Sequence, residues 1–592
     1  MKAILGGFDK KKRHYKIYQK KIAKLESKVL RKSKKDKERL SDISRSIAID
    51  SLIKTTKFNP KTLENAQKVL DNHLFLMNNL DVIKFEDEID WNYQHTASPN
   101  TYSLYMQCLN SVSLLCDAYH ETNDRLYLYR SYQILLDWIH FNKTHKENNT
   151  FIWKDHPAAN RVLNIIYFYS SASEVIGVDE SIILELLVEH GNFLMDDGNY
   201  VENNHGIMMD RSLIILSIFL DKHVSSHAWF DKGKLRIKNA FYRDFSYIGV
   251  HLENSPGYHA LIKNMYQAII RFMKSQKLSL DPVVEAGIRR SNAYLGHIYR
   301  PNKKMPIIGD TQQGTKASIQ KSFTSFHDPE AGITIFQDRG ASHFKSTWLT
   351  FICGYSSKTH KHHDDLSTSL YYNGADVLVD SGRYNYDKNS EIRKYLISPK
   401  AHSTITVKGK NYSILPVAKN MDLIQTTGFY TNSAYDIVSG IHHAYKGIKL
   451  SRTVILLKPN IVLYIDQVKS EQQEPFQQIF NLAPNVEIKG INSREANAHT
   501  GNDDMKITQF IPVDKGLVVS ADKDVPEAII SERFGQTTDT NQFVFEKQAK
   551  EATFLTALTL GSGIKELQDI QFDDQKQQLT VHKKNESIPI FI

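Results

Sequence analysis

The chain has 592 residues, 41% of them hydrophobic and 24% charged, with a formal net charge of +9. That length excludes a single small module, and that composition excludes disordered, collagenous and membrane-embedded chains. Three cysteines, Cys108, Cys116 and Cys353, are too few and too scattered for a disulfide framework.

The first ten residues, Met1-Lys-Ala-Ile-Leu-Gly-Gly-Phe-Asp-Lys, hold no apolar stretch long enough for a signal peptide, and no later run has the roughly 18 apolar residues of a membrane span. A cytoplasmic location is therefore expected ahead of secretion by another route or with a leader removed. Residues 10–39 carry fifteen Lys and Arg against Glu26, Asp36 and Glu38, so the rest of the chain is slightly acidic. Basicity is thus local, and the chain as a whole is not expected to bind nucleic acid. Residues 10–50 read as a charged helix, with Ile17, Ile22, Leu25, Val29 and Leu30 near helical spacing. This basic extension, residues 1–55, is either a solvated helix or a contact for an anionic surface.

Between residues 56 and 328 the pattern is a succession of long amphipathic segments. They are Thr62–Asn79, Tyr102–Tyr119, Arg125–Phe141, Ala158–Glu174, Ile182–Leu194, Ile207–Leu220, Gly257–Lys277 and Pro282–Ala293. Some, such as Ser212–Leu220, are apolar around nearly the whole circumference and must be covered on two sides. Such helices joined by short connections point to a layered α/α array such as a toroid.

From residue 329 to 592 short β-branched or alternating runs replace the helical period, among them Gly332–Phe336, Thr347–Ile352, Ser403–Val407, Thr453–Leu457, Asn460–Ile465 and Thr553–Leu558. This is an antiparallel β region long enough for a large β-sandwich, or for a sandwich plus a smaller sheet. The fold class is α+β and multidomain.

Three polar clusters interrupt these patterns. Thr359-His-Lys-His-His-Asp-Asp-Leu-Ser367 is followed by Asp380 at the end of a Val-Leu-Val strand and by His402 before the next strand. Imidazole and carboxylate together suit Zn²⁺, but on an extended chain His360 and His362 project to one face and His363 to the other, so not all are ligands. The metal reading stands beside that of a solvated turn. In Tyr200-Val-Glu-Asn-Asn-His-Gly206 an N-cap role explains Asn204 without catalysis, and in Glu253-Asn-Ser-Pro-Gly-Tyr-His259 Pro and Gly are ordinary helix-boundary residues.

Taken together these clusters resemble the heparinase II/III family of polysaccharide lyases, including its alginate-lyase relatives. The matching pieces are Asn204-His205-Gly206, Glu253-x-Ser255-Pro256-x-Tyr258-His259, His360-x-His362-x-Asp364-x-Leu366-Ser367, Asp380-x-Gly382-x-Tyr384 and Ala401-His402-x-Thr404. Ile89-Asp-Trp91 and Arg161 within Asn160–Asn164 are also similar. The resemblance implies an (α/α) toroid followed by a β-sandwich, acting by β-elimination on an anionic, uronic-acid-containing polysaccharide of glycosaminoglycan type. It implies that Asn204 and His360 neutralise the uronate carboxylate, that His205 or Tyr258 removes the C5 proton, and that Tyr258 protonates the leaving oxygen. Arg161 and Glu253 are implied as substrate contacts, and His362, Asp380 and His402 as ligands of a structural zinc ion. Tyr384 and Tyr386 are both candidates for a further site tyrosine, and His363 adds an imidazole inside the motif. A uronyl C5-epimerase uses the same groups, and a non-catalytic glycan-binding factor in capsule or exopolysaccharide assembly is the alternative of another class. The oligomeric state is not legible.

Overall fold

The computed structural model describes residues 2–30, 43–86, 88–96, 98–145, 149–316 and 318–592, with side chains from Tyr15 onward. It falls into two compact units. One comprises Met1–Arg243 with Met265–Glu285, the other Asp244–Asn264 with Ala286–Ile592.

The first unit is helical. Its N-terminal helix, Lys2–Val29, buries Ile22 and Val29. It is tied to the helix Arg125–His145 by Lys143 Nζ donating to the Val29 carbonyl at 2.8 Å and Tyr132 Oη donating to Glu26 at 2.8 Å. The charged helix expected over 10–50 is therefore shorter: the chain is irregular from Ile43, with one 3₁₀ turn at Ile49–Ser51, and 31–42 lie outside the described residues.

The helix Asp155–Ala172 packs against Asn110–Thr122, Glu180–Met195 and Asn204–Phe219, which is why its buried residues run around most of its circumference. Asn204–Phe219 is buried almost continuously from Gly206, as its apolar run requires. Two expected helices are interrupted. Leu109, in the left-handed region at φ 62°, separates Pro99–Met106 from Asn110–Thr122, and the first expected helix ends at Leu70, before a short strand pairing His73–Leu74 with Ile83–Lys84. Ser226–Asp244 is a further helix with no counterpart in the expected set. Among the described residues no helix is long and apolar enough to cross a membrane.

The second unit is built on antiparallel sheets. A ten-stranded sheet centres on two long strands, Ile461–Asn481 and Asn541–Leu560, paired along most of their length with a bulge between Lys469 and Glu474. Its inner face packs against a five-stranded sheet through Phe336, Leu349, Phe351 and Leu370 on one side and Val438, Val454, Leu456 and Val462 on the other. The helix Pro282–Ile298 covers the opposite face of the smaller sheet, placing Tyr294, Leu295 and Ile298 against Ile335 and Trp348. Thr347–Ile352 is thus buried on both faces, which explains its unbroken apolar texture. The outer face of the large sheet is closed by the C-terminal strands, with Ile570, Leu579, Val581 and Ile590 on Ile461, Leu463 and Leu555.

A buried guanidinium ties this core to the loops that carry the polar clusters. Arg452 pairs bidentately with Asp466 at 2.6 and 2.8 Å, and its Nη1 donates to the carbonyls of Leu366 at 2.9 Å and Ser403 at 3.0 Å. Leu366 closes the histidine-rich loop and Ser403 follows His402.

Candidate active site

The Glu253–His259 cluster, the histidine-rich loop and the segment Asp380–Tyr386 all lie in the strand-rich unit, and there the chain brings Tyr258, Glu253 and His360 together. The Tyr258 ring stacks on the His360 imidazole, with centroids 3.7 Å apart and planes 19° apart. His360 has φ 58°, a left-handed conformation unusual outside glycine. Its loop is held by Asn254, whose side-chain amide donates to the carbonyls of Ser357 at 2.7 Å and Thr359 at 3.0 Å. Glu253 was expected to touch substrate. Its Oε2 instead lies 3.7 Å from His360 Nε2, so in this arrangement it faces the imidazole.

Tyr258 Oη is 2.6 Å from Tyr386 Oη, and Tyr386 Oη accepts from Arg383 Nη1 at 2.6 Å. Of the two candidate tyrosines it is therefore Tyr386 that joins Tyr258. Tyr384 takes a left-handed φ of 61° and is held through its backbone by Ser531. Burial, and then the hydrogen bond with Tyr386, hold the Tyr258 phenol well above the ordinary tyrosine range, with Arg383 opposing. His259, beside it, is structural: its Nδ1 accepts from the His251 amide at 3.0 Å and its Nε2 donates to the Ser291 carbonyl at 2.9 Å.

Asp310 is the site residue that sequence reasoning missed. Its carboxylate receives His360 Nδ1 at 2.8 Å, His362 Nε2 at 3.0 Å and Arg393 Nη1 at 2.6 Å. Burial alone would raise its pKa, but these partners hold it well below the ordinary carboxylate range. The only sequence signal is a lone Asp after Gly309 in a loop.

His362, Asp380 and His402 form a buried cluster whose ligand atoms lie within 4.8 Å of one another. With His362 Nε2 committed to Asp310, its Nδ1 is buried without a hydrogen-bond partner. His402 Nδ1 lies 3.0 Å from Asp380 Oδ1, and its Nε2 is buried and unpartnered. Buried nitrogens without proton partners around a buried carboxylate fit a His₂Asp zinc set. The other motif residues are committed elsewhere. Asp364 and Asp365 neutralise the buried Lys361, and His363 bonds the Ile397 carbonyl at 3.0 Å, away from the cluster.

In the helical unit, Asn203 rather than Asn204 caps the helix Asn204–Phe219, accepting from the His205 amide at 2.8 Å. The capping role expected for Asn204 thus belongs to its neighbour, and the Asn204 side chain is half-buried at the first helical position. His205 Nδ1 lies 3.3 Å from Asp155 Oδ1, and its ring stacks on His156 at 5.1 Å. Burial drives the His156 pKa down to about 3, aided by His205 and Arg211. Asn160 links His156 to Arg211, with contacts of 2.8 and 2.9 Å.

Arg161 does not have the exposure expected of a substrate contact. It is fully buried, with Nε donating to His190 at 2.8 Å, Nη1 to the Gln107 carbonyl at 2.6 Å and Nη2 to the Ile152 carbonyl at 2.9 Å. The guanidinium lies 4.2 Å from the centroid of the Trp138 ring. Each of its three nitrogens donates inside the helical core, so it is a structural pin.

Comparison with known proteins fits this arrangement. The structure is similar to that of heparan sulfate lyase HepC from Pedobacter heparinus, at 16% identity with a TM-score of 0.72, covering 94% of this chain and 93% of that one. It is also similar to a crystal structure of heparinase III, at 15% identity with a TM-score of 0.74, covering 99% of this chain and 97% of that one. The shared fold is the α/α toroid followed by a β-sandwich that the sequence implied. No curated protein sequence matches significantly. The family profile for the heparinase II/III N-terminus matches residues 10–331 and the heparinase II/III-like C-terminal profile matches residues 321–577, so the chain belongs to the heparinase II/III family of polysaccharide lyases.

Proposed function

We infer that this lyase cleaves a uronate-containing glycosaminoglycan of the heparan sulfate type by β-elimination, with Tyr258 as the general acid. The observation that carries the reading is the Tyr258 phenol, stacked on His360, bonded to Tyr386 and with its pKa raised. The C5 hydrogen of a uronate is a poor acid while its carboxylate is charged, so catalysis requires donors at the carboxylate, a base at C5 and an acid at the departing O4. A phenol that keeps its proton to high pH suits the last task. His360, oriented through Nδ1 by Asp310, and Asn204 serve as donors to the carboxylate, while His205, supported by Asp155, takes the C5 proton when the epimer presents it on that side. For the other epimer a Tyr258 phenolate, its proton first released to solvent, takes the C5 proton and delivers that same proton to the departing O4. The similarity to HepC, described as a heparan sulfate lyase, supports the substrate class.

His362, Asp380 and His402 would hold the zinc ion, which supplies rigidity to the loop bearing His360. The test is a panel of uronate polysaccharides assayed for ultraviolet absorbance of the unsaturated product, comparing the parent with Tyr258→Phe. Turnover is expected from the parent on a heparan-type glycan and a loss of at least about 100-fold in the variant. No unsaturated product from any glycan of the panel would refute the reading, and deuterium exchange at C5 without new chain ends would replace it with epimerisation.

A further inference from the structure

The hairpin Ile529–Arg533 and Gln536–Asp539 holds none of the motif residues on which the resemblance rests, yet it is fastened to the segment that bears Tyr386. Ser531 donates from its amide to the Ser381 carbonyl at 2.8 Å, its Oγ accepts from the Tyr384 amide at 3.0 Å, and the Gly535 amide donates to the Tyr384 carbonyl at 2.8 Å. Gly382, at φ 74°, permits this approach, since a Cβ there would sit 2.1 Å from the Ser531 carbonyl oxygen. The hairpin is therefore fixed in place, and its tip presents Phe534, 55% exposed.

Arg383 lies between two exposed aromatic rings. Its guanidinium carbon is 4.9 Å from the Tyr386 centroid and 5.3 Å from that of Phe534. Nη1 donates to Tyr386. The Gln312 amide oxygen, in the orientation its hydrogen bonds require, accepts from Nη2 and from the Phe534 amide at 3.2 Å. Arg383 Nε is buried without a partner, whereas Nη1 and Nη2, with one of these bonds apiece, each keep a second N–H. A polar groove of 370 Å³, lined by Gln313, Thr315, Glu532, Arg533 and Gln536 among others, borders the same hairpin.

An exposed flat ring, a guanidinium with a donor to spare and a phenol pair on one rigid support are what an anionic sugar ring needs: an apolar face to stack on and a fork for its charged substituent. We propose that Phe534 and Arg383 form a binding subsite for the anionic sugar adjoining the reacting uronate, with Phe534 stacking on the pyranose face and Arg383 pairing with its carboxylate or sulfate. The assignment rests on the reading of Tyr258 as the acid at this site.

Phe534→Ala tests it, because the ring is exposed and the hairpin is held by backbone bonds that the substitution leaves. Two readouts are needed. In the active enzyme, KM for a heparan sulfate tetrasaccharide should rise about tenfold with kcat within about twofold. In the Tyr258→Phe background, calorimetric affinity for the same tetrasaccharide should fall about tenfold on adding Phe534→Ala. Weakened binding with a parent that turns over no uronate glycan would support the subsite and overturn the lyase reading. Unchanged KM together with unchanged affinity would overturn the subsite. Arg383→Gln in the same Tyr258→Phe background, measured on sulfated and unsulfated tetrasaccharides, separates the partners. A loss confined to the sulfated probe assigns sulfate, an equal loss on both assigns carboxylate, and no loss on either removes Arg383 from the subsite.

Discussion

Nδ1 of His360 lies 2.8 Å from Oδ2 of Asp310. The other oxygen of that carboxylate takes Nε2 of His362 at 3.0 Å, so a single acid orients both the candidate catalytic imidazole and a candidate metal ligand. Asp310→Asn replaces one acceptor oxygen by a donor facing a ring nitrogen, so at least one of the two imidazoles must turn or take the other tautomer. We expect kcat to fall about 100-fold and zinc affinity by about 10- to 100-fold, with the circular dichroism spectrum unchanged. Full turnover and full metal content in the variant would show that the carboxylate does not couple the two.

The orphaned nitrogens of His362 and His402 lead to a metal prediction. Purified protein should carry about one zinc per chain. Because a ligand bound only by the folded state stabilises by roughly 4 kcal/mol at a thousandfold excess over Kd, a strong chelator should lower the melting temperature by several degrees. His402→Ala should reproduce the loss and abolish the response to chelator. Metal analysis alongside thermal unfolding checks this, and a zinc-free sample that melts with the zinc-treated one would dismiss the site.

The parts of this arrangement that were legible in the sequence are those written in contiguous residues. The all-apolar Ser212–Leu220 run has only one way to be buried, and the His360-x-His362 pair is a local motif. Tertiary demands were not legible. Ser226–Asp244 is charged and carries Gly233 mid-helix, which reads as a break, but a Cβ there would lie 2.8 Å from Ile214 Cγ1, so the glycine answers a helix contact. The bend at Leu109 is a backbone conformation with no residue signature. Asp310 is 50 residues from His360, and Arg383 is chosen by a hairpin nearly 150 residues further on; only packing brings them into one site.

Arg161 separates fold from function in the helical unit. Removing a fully buried guanidinium that makes three hydrogen bonds leaves two carbonyls and His190 unsatisfied. Arg161→Met should cost on the order of 3 kcal/mol in urea denaturation while KM of the surviving folded enzyme stays within about twofold. A large rise in KM at unchanged stability would return Arg161 to the substrate.

The buried histidines set the acid limb of stability. Burial brings the His259 pKa from 6.5 down to about 4, and its two hydrogen bonds, one accepted at Nδ1 and one donated from Nε2, require the neutral ring. His156 and His442 are depressed likewise, to about 3 and about 4. As pH falls below 6.5 the unfolded chain takes up protons that the folded chain refuses, so stability present above pH 6.5 is lost progressively down to about pH 4, where His259 and His442 protonate in the folded state as well. Each such histidine adds a slope of up to about 1.4 kcal/mol per pH unit within that window. Urea titrations from pH 7.5 to 4 should show a shallower decline in His259→Gln than in the parent, by about one histidine's share, even though the variant starts lower at pH 7.5. Parallel declines would mean that His259 is protonated in the folded protein and that its bonds to His251 and Ser291 do not hold it neutral.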